Sequence, residues 1–201
     1  MRPVERQRDV PKLASFARTG LVVVLGLYPV LVYFGLAYFS VVAVAVLLFA
    51  VCFLRLVIGL NFPTAGQSAG AMALINVAGM VLALLALMQR SASFVLLYPV
   101  LINAGLFAAF GLSLRFPPSA IERIARYWEG DLPQEAVAYT RKLTVVWAVF
   151  FAVNGLVALY TALFASLEVW TLYNGLLSYV IIAVLVIGER LFRAVASGNR
   201  H

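Results

Sequence analysis

The sequence predicts an all-α, polytopic membrane protein with six transmembrane helices, both termini cytoplasmic, and one amphipathic interfacial helix between helices 4 and 5. Three observations predict it. First, the 201 residues are 64% hydrophobic and 11% charged, with a mean hydropathy of +1.01, whereas a soluble domain is about half apolar and a quarter charged. Second, the charged residues stand at the ends of long apolar runs. Third, when those runs alternate across a bilayer, the basic residues collect almost entirely on one side. This composition excludes a water-soluble enzyme. Six spans at about 20 residues each use roughly 120 positions, which leaves a tail, one modest loop and tight turns, but no separate soluble domain.

Residues 1–16 read as a basic cytoplasmic tail. The apolar stretch behind it is far longer than a signal-peptide core and shows no clear small-residue cleavage site, so the tail is expected to stay attached. From Thr19 to Leu54 there are 36 positions without a charge. As one helix they would measure about 54 Å, well beyond a hydrocarbon core of about 30 Å, so the run must fold back. Gly35 to Ser40 is the expected turn, with Tyr33, Tyr38 and Phe39 as an interfacial aromatic belt. The first two spans are then about 17–35 and 38–58. A third, 68–88, ends at the polar turn Gln89-Arg90-Ser91-Ala92-Ser93, and a fourth is 94–116. After a cytoplasmic loop, 117–142, come a fifth span, 143–164, and a sixth, 169–187. The membrane domain is 17–190, and 191–201 is a cytoplasmic C-terminal tail. With the N-terminus inside, 14 of the 15 lysines and arginines fall on the cytoplasmic side and only Arg90 falls outside. Reading the first run as a single span would split them between the two sides, against the positive-inside rule. A basic chain patterned this way is oriented in a membrane with its basic side cytoplasmic. It lacks the aromatic-interleaved basic stripe of a nucleic-acid binder, and no nucleic-acid partner is expected.

In the loop, Pro117-Pro118 stops the fourth helix and Ser119-x-x-Glu122 has the form of a capping box that starts another. Ile121, Ile124, Ala125 and Trp128 follow at i, i+3, i+4 and i+7, with Glu122, Arg123, Arg126 and Glu129 on the other side. Gly130 closes this short amphipathic helix, and Asp131-Leu132-Pro133 starts a helix that runs from the surface into span five. The preferred reading is a connector lying on the inner leaflet, with Trp128 at headgroup depth. The alternative is a contact surface for a partner or a lipid headgroup, formed by Ile121, Arg123, Arg126 and Trp128 together with Trp147.

The spans offer little catalytic chemistry. Cys52 is the only cysteine, so neither a disulfide nor a thiolate metal site forms within one chain, and no metal or cofactor is expected. By this placement no ionisable side chain lies near the middle of a span, which disfavours ion-coupled transport. General acid–base pairs and nucleophile–histidine arrangements have no residues to be built from, so the chain is not expected to be an enzyme. What the spans hold is amide and phenol: Asn76, Asn103, Asn154 and Asn174, with Tyr28, Tyr98, Tyr160, Tyr173 and Tyr179. An asparagine in hydrocarbon needs a hydrogen-bond partner, so these side chains should face inward and bond across helices. Helix-to-helix glue is the preferred reading. The alternative is a polar ligand site built from Asn76, Asn103, Asn154, Asn174, Tyr28, Tyr98 and Tyr173. Gly79, Gly105, Gly155 and Gly175 stand at or near the asparagines and allow backbones to approach closely, which suits either reading.

One internal pattern is more specific. Leu27-Tyr28-Pro29-Val30-Leu31-Val32-Tyr33-Phe34-Gly35-Leu36 recurs as Leu97-Tyr98-Pro99-Val100-Leu101-Ile102-Asn103-Ala104-Gly105-Leu106, identical at seven of ten positions. The two copies lie in spans one and four, which cross in opposite directions, the plan of inverted-repeat transporters. Spans two and five show no matching counterpart. Pro29 and Pro99 each break the helix ladder and free a carbonyl.

Trp147-Ala148-Val149-Phe150-Phe151, within a segment from Leu143 through Gly155-Leu156 to Tyr160, resembles the signature of the bacterial intracellular septation protein A family. The early apolar hairpin, Ile121-Glu122-Arg123 and Leu132-Pro133 also resemble that family's layout. A closer likeness, carried by Tyr98-Pro99-Val100-Leu101, Pro117 to Arg123, and Leu172-Tyr173-Asn174-Gly175-Leu176, is to inner-membrane proteins whose genes lie in aryl polyene clusters. The first resemblance implies a role in envelope integrity and division, and the second implies handling of a long acyl product. Neither supplies a catalytic residue, and Tyr28-Pro29 and Tyr98-Pro99 depart from the septation pattern. Two functions are therefore expected as alternatives. One is a non-enzymatic inner-membrane envelope protein that organises acyl-lipid biogenesis partners; the other is a small carrier or flippase for an acyl-lipid or aryl polyene intermediate. Expected partners are membrane lipids, with envelope proteins in the first case and an acyl-lipid substrate in the second. Oligomeric state is left open.

Overall fold

The computed structural model describes residues 26–61 and 69–198. The basic tail, the first part of the first expected span (17–25), the first residue of the third span (Ser68) and residues 199–201 lie outside the described residues. All described elements are helical: α1 Tyr28–Tyr38, α2 Val41–Asn61, α3 Ala69–Gln89, α4 Ser93–Leu96, α5 Tyr98–Arg115, α6 Ala120–Glu129, α7 Gln134–Phe164, α8 Leu167–Leu172, a π-helical turn Tyr173–Leu177, and α9 Ser178–Gly198. Five stretches are long and apolar enough to cross a membrane: Val41–Leu60, Met72–Gln89, Ser93–Arg115, Gln134–Phe164 and Leu167–Leu191. This is a multi-pass membrane protein. Its outer surface agrees, since large apolar side chains such as Met88 (81% exposed) and Leu74 (72%) face outward, as lipid-facing residues do. α1 is apolar but has only 11 described residues.

The turns form where small polar residues can cap a helix. The first is tighter than expected: α1 runs through Gly35, and only Phe39 and Ser40 separate it from α2, with Ser40 Oγ accepting the Ala43 N–H at 3.2 Å. Gly35 allows this because a Cβ there would stand 2.5 Å from Val44 Cγ2. Arg90 ends α3 in the left-handed region at φ 49°, a common way for a helix to stop. Ser166 caps α8 through the Val169 N–H at 3.4 Å.

Helices α2 and α3 pack along one another, as do α5 and α7. Trp170, Leu48, Val32, Val95 and Cys52 are fully buried between them, and Tyr28 and Tyr98 belong to the same core. α7 has 31 residues, about 46 Å of helix. It begins nine positions before the expected fifth span, because Pro133 starts it in the loop.

The loop helix α6 forms as expected, but its burial differs. Glu122, expected on the polar outer side, is buried, and Ile124 and Trp128 are exposed. The cause is local bonding. Glu122 accepts the Ser119 N–H at 3.2 Å and pairs with Arg126 at 3.0 Å, while the next two free N–H groups of the helix start are taken by other helices. Ala120 N donates to Ser113 Oγ at 2.8 Å, and Ile121 N donates to Thr144 Oγ1 at 3.2 Å. Ser119 and Glu122 form the capping box, and the Glu122 carboxylate on the Ser119 N–H is its well-formed half. Docking the helix start onto α5 and α7 therefore outweighs the amphipathic stripe in deciding which side faces in.

Candidate functional site

The site begins with Pro99. Proline has no N–H, so the Val95 carbonyl four residues earlier loses its helical donor. The ladder breaks between α4 and α5 at Leu97 (φ −77°, ψ −7°) and resumes with Leu101 N to Leu97 O at 3.1 Å. Two side chains fill the gap. The Tyr28 hydroxyl donates to Val95 O at 2.7 Å, and Trp170 Nε1 donates to Leu96 O at 3.1 Å. The earlier copy of the motif has the same local form. Leu27 takes φ −86°, ψ 1°, Leu31 N bonds Leu27 O at 2.9 Å, and the Tyr179 hydroxyl donates to Gly26 O at 2.8 Å. Gly26 and Leu96 hold the same place in the two copies, and both carbonyls are met by donors from the last span. The tyrosine rings of the two motifs meet with centroids 4.9 Å apart.

A chain of amides crosses the bundle beside this kink. Asn103 Nδ2 donates to Pro99 O at 2.8 Å and its Oδ1 accepts Asn154 Nδ2 at 3.0 Å. Asn154 Oδ1 in turn accepts the Tyr173 hydroxyl at 2.9 Å. Three spans are joined by these bonds. Asn174 joins two of them again, donating to Thr161 Oγ1 at 3.2 Å and to Trp170 O at 2.9 Å. The glycines permit the approach: a Cβ on Gly155 would stand 3.1 Å from Asn103 Cβ, and one on Gly79 would stand 2.7 Å from Cys52 Sγ. Asn174 and Gly175 lie in the π-helical turn, where Gly175 packs toward Pro29.

These elements enclose a cavity of about 330 Å³. Tyr28, Tyr98, Asn103, Asn154 and Asn174 line it together with Arg55. The apolar wall includes Met72, Ile75, Ile102, Leu106, Phe150 and Phe151. Of the expected polar set, five residues thus share one space and Tyr173 stands behind them, bonded through Asn154. Asn76 does not join: its amide donates to Met72 O of its own helix at 2.8 Å. A second cavity, about 320 Å³, lies further along the facing sides of α7 and α9 and is lined by Trp147, Val146, Lys142 and Leu185 among others.

The expected contact surface is not one surface. On α6, Arg123 and Trp128 are exposed, with Trp128 at 78%, and Ile121 is half-buried. Arg126 is held by Glu122 at 3.0 Å and Asp131 at 3.4 Å. Trp147 belongs instead to α7, packed on Phe150 and Phe151. Comparison with protein-family models, curated proteins and solved structures finds no match to this chain. The geometry is therefore what assigns a role.

Sequence reasoning missed Arg55 and Trp170 as members of the site. Arg55 counts among the 14 basic residues that the positive-inside pattern places on the cytoplasmic side. It stands within α2, six residues before Asn61, and is half-buried on the cavity wall. Counting six residues back from a boundary was the available signal, but the side that an arginine faces is set by helix rotation, which a nearly uniform apolar run does not reveal.

Proposed function

We propose that the protein is a non-enzymatic carrier for an acyl-lipid or polyene-like amphiphile in a bacterial inner membrane, with six spans and both termini cytoplasmic. The cavity carries this reading. An apolar wall with a few converging polar groups is the usual composition of a small-molecule site, and about 330 Å³ lies at the lower end of the roughly 300–1,000 Å³ of such sites. The two Tyr-Pro motifs share one local geometry and lie in spans read as crossing in opposite directions, which suits the inverted-repeat plan of carriers. The likeness to proteins of aryl polyene clusters supplies the substrate class. Sorting of the basic residues supports the orientation, with the tight turns at Phe39–Ser40, Arg90–Ala92 and Ala165–Ser166 on the outer side and α6 on the inner side.

A second reading, a scaffold for envelope partners in the manner of the septation protein A likeness, is favoured by one observation. Ile124, Tyr127 and Trp128 are exposed beside Arg123 on α6. The deciding experiment is a clean deletion in the native bacterium, followed by separation of inner and outer membranes and mass spectrometry of their acyl-lipids and polyenes. The carrier reading expects a product that builds up in the inner membrane and is depleted in the outer, with synthesis intact. Unchanged lipid distribution with altered cell shape or envelope-complex composition would sink it in favour of the scaffold.

A further inference from the structure

Among the residues that line the main cavity, Arg55 is the only charged one, and no Asp or Glu joins it. Among the described residues the ion pairs are Arg126–Glu122, Arg126–Asp131 and Arg193–Glu189, so Arg55 has no carboxylate partner there. Six residues from the end of α2 is about 9 Å along the axis, inside the apolar stretch Val41–Leu60. A charge there with no carboxylate partner among the described residues is a candidate binding group.

The other polar groups of the cavity point the same way. Asn103 and Asn154 each spend one amide hydrogen and their carbonyl oxygen within the chain of amides, which leaves each a second N–H. The Tyr98 oxygen receives the Cys52 thiol, and its own proton has no acceptor among the described residues. Tyr28 and Tyr179 have already donated theirs. The space therefore offers one full positive charge and the unused donors of Asn103, Asn154 and Tyr98, beside acceptor oxygens on Tyr28, Tyr179 and Asn174. Such a set suits an oxyanion. The volume, about 330 Å³, admits an anionic headgroup and the first carbons of an acyl chain.

We infer that Arg55 anchors the carboxylate or phosphate headgroup of a single-chain acyl amphiphile, whose first carbons lie against Ile102, Leu106, Phe150 and Phe151. The inference rests on the carrier reading and names its ligand class. A second cavity lies further along the facing sides of α7 and α9, beside Lys142.

The test uses the full chain released from neutral detergent and titrated, by native mass spectrometry, with palmitate, hexadecyl phosphate and uncharged hexadecanol. One or both anionic probes are expected to bind well ahead of hexadecanol, and whichever does so identifies carboxylate or phosphate as the headgroup. Arg55→Gln is expected to weaken anion binding about 10- to 100-fold, the value of a charge-assisted hydrogen-bond set, and to leave hexadecanol unchanged. If that variant does not fold, Arg55→Lys keeps the charge without the fork and is expected to retain the preference for anions over hexadecanol. Equal binding of all three probes, abolished together by the cavity-filling Leu106→Trp, would overturn the anchor and leave the carrier reading standing. Binding of none of them to the wild type would remove both.

Discussion

A carbonyl without a donor is costly in hydrocarbon, where no water can replace the missing bond. Pro99 creates that situation, and Tyr28 and Trp170 answer it at 2.7 and 3.1 Å. Tyr28→Phe should therefore destabilise the protein by about 1–3 kcal/mol, the range for a buried group left unsatisfied. With Pro99→Ala an N–H returns at position 99, so the same change should cost clearly less on that background. Unfolding of the four proteins of this double-mutant cycle in detergent measures the coupling, and equal costs on both backgrounds would show that the tyrosine is not answering the proline. At this scale much was legible: the freed carbonyl at Pro99 follows from proline chemistry, and inward-facing asparagines follow from the bilayer. The identity of the partners did not follow. Asn76 and Asn103 look alike in sequence, and both bond a carbonyl four residues back. Only Asn103 has Gly155 opposite it, letting Asn154 come within 3.0 Å.

Among the helices, contact distance is set by small residues. A Cβ on Gly79 would stand 2.7 Å from Cys52 Sγ and 3.0 Å from Tyr98 Cε2, so α2 and α3 meet at their closest where neither can grow. Gly79→Ala is expected to cost about 1–3 kcal/mol, as overpacking does, and Cys52→Ala should restore most of it. Gly111, with open space around its would-be Cβ, is the control: alanine there should be neutral or stabilising by up to about 1 kcal/mol from helix propensity. Thermal unfolding of the purified variants separates the two positions. The five described membrane-crossing stretches fall close to the expected spans because hydropathy and length are strong, local signals. Element detail was less legible. The π-helical turn at Tyr173–Leu177 has no sequence mark beyond Gly175, and the buried side of α6 was decided by two N–H groups reaching Ser113 and Thr144, which no periodicity records.

For the whole molecule, the order of the chain matters. The helix break at Leu97 is held by Tyr28 of α1 and Trp170 of α8, and the glycine carbonyl before the first motif is held by Tyr179. Trp170 is separated from Leu96 by 74 positions. During synthesis α4 and α5 are made long before their tryptophan exists. Until then Leu96 carries a carbonyl whose final donor has not been made. A chain ended after Ala165 should therefore insert and yet be removed by membrane proteolysis, with a half-life well below that of the full chain in pulse-chase labelling. Supplying residues 166–201 as a separate polypeptide should lengthen its life, and equal lifetimes without that piece would show that the last span is dispensable to the kink. Seen this way, the Trp170 bond makes closure of the bundle wait for the helix that carries it.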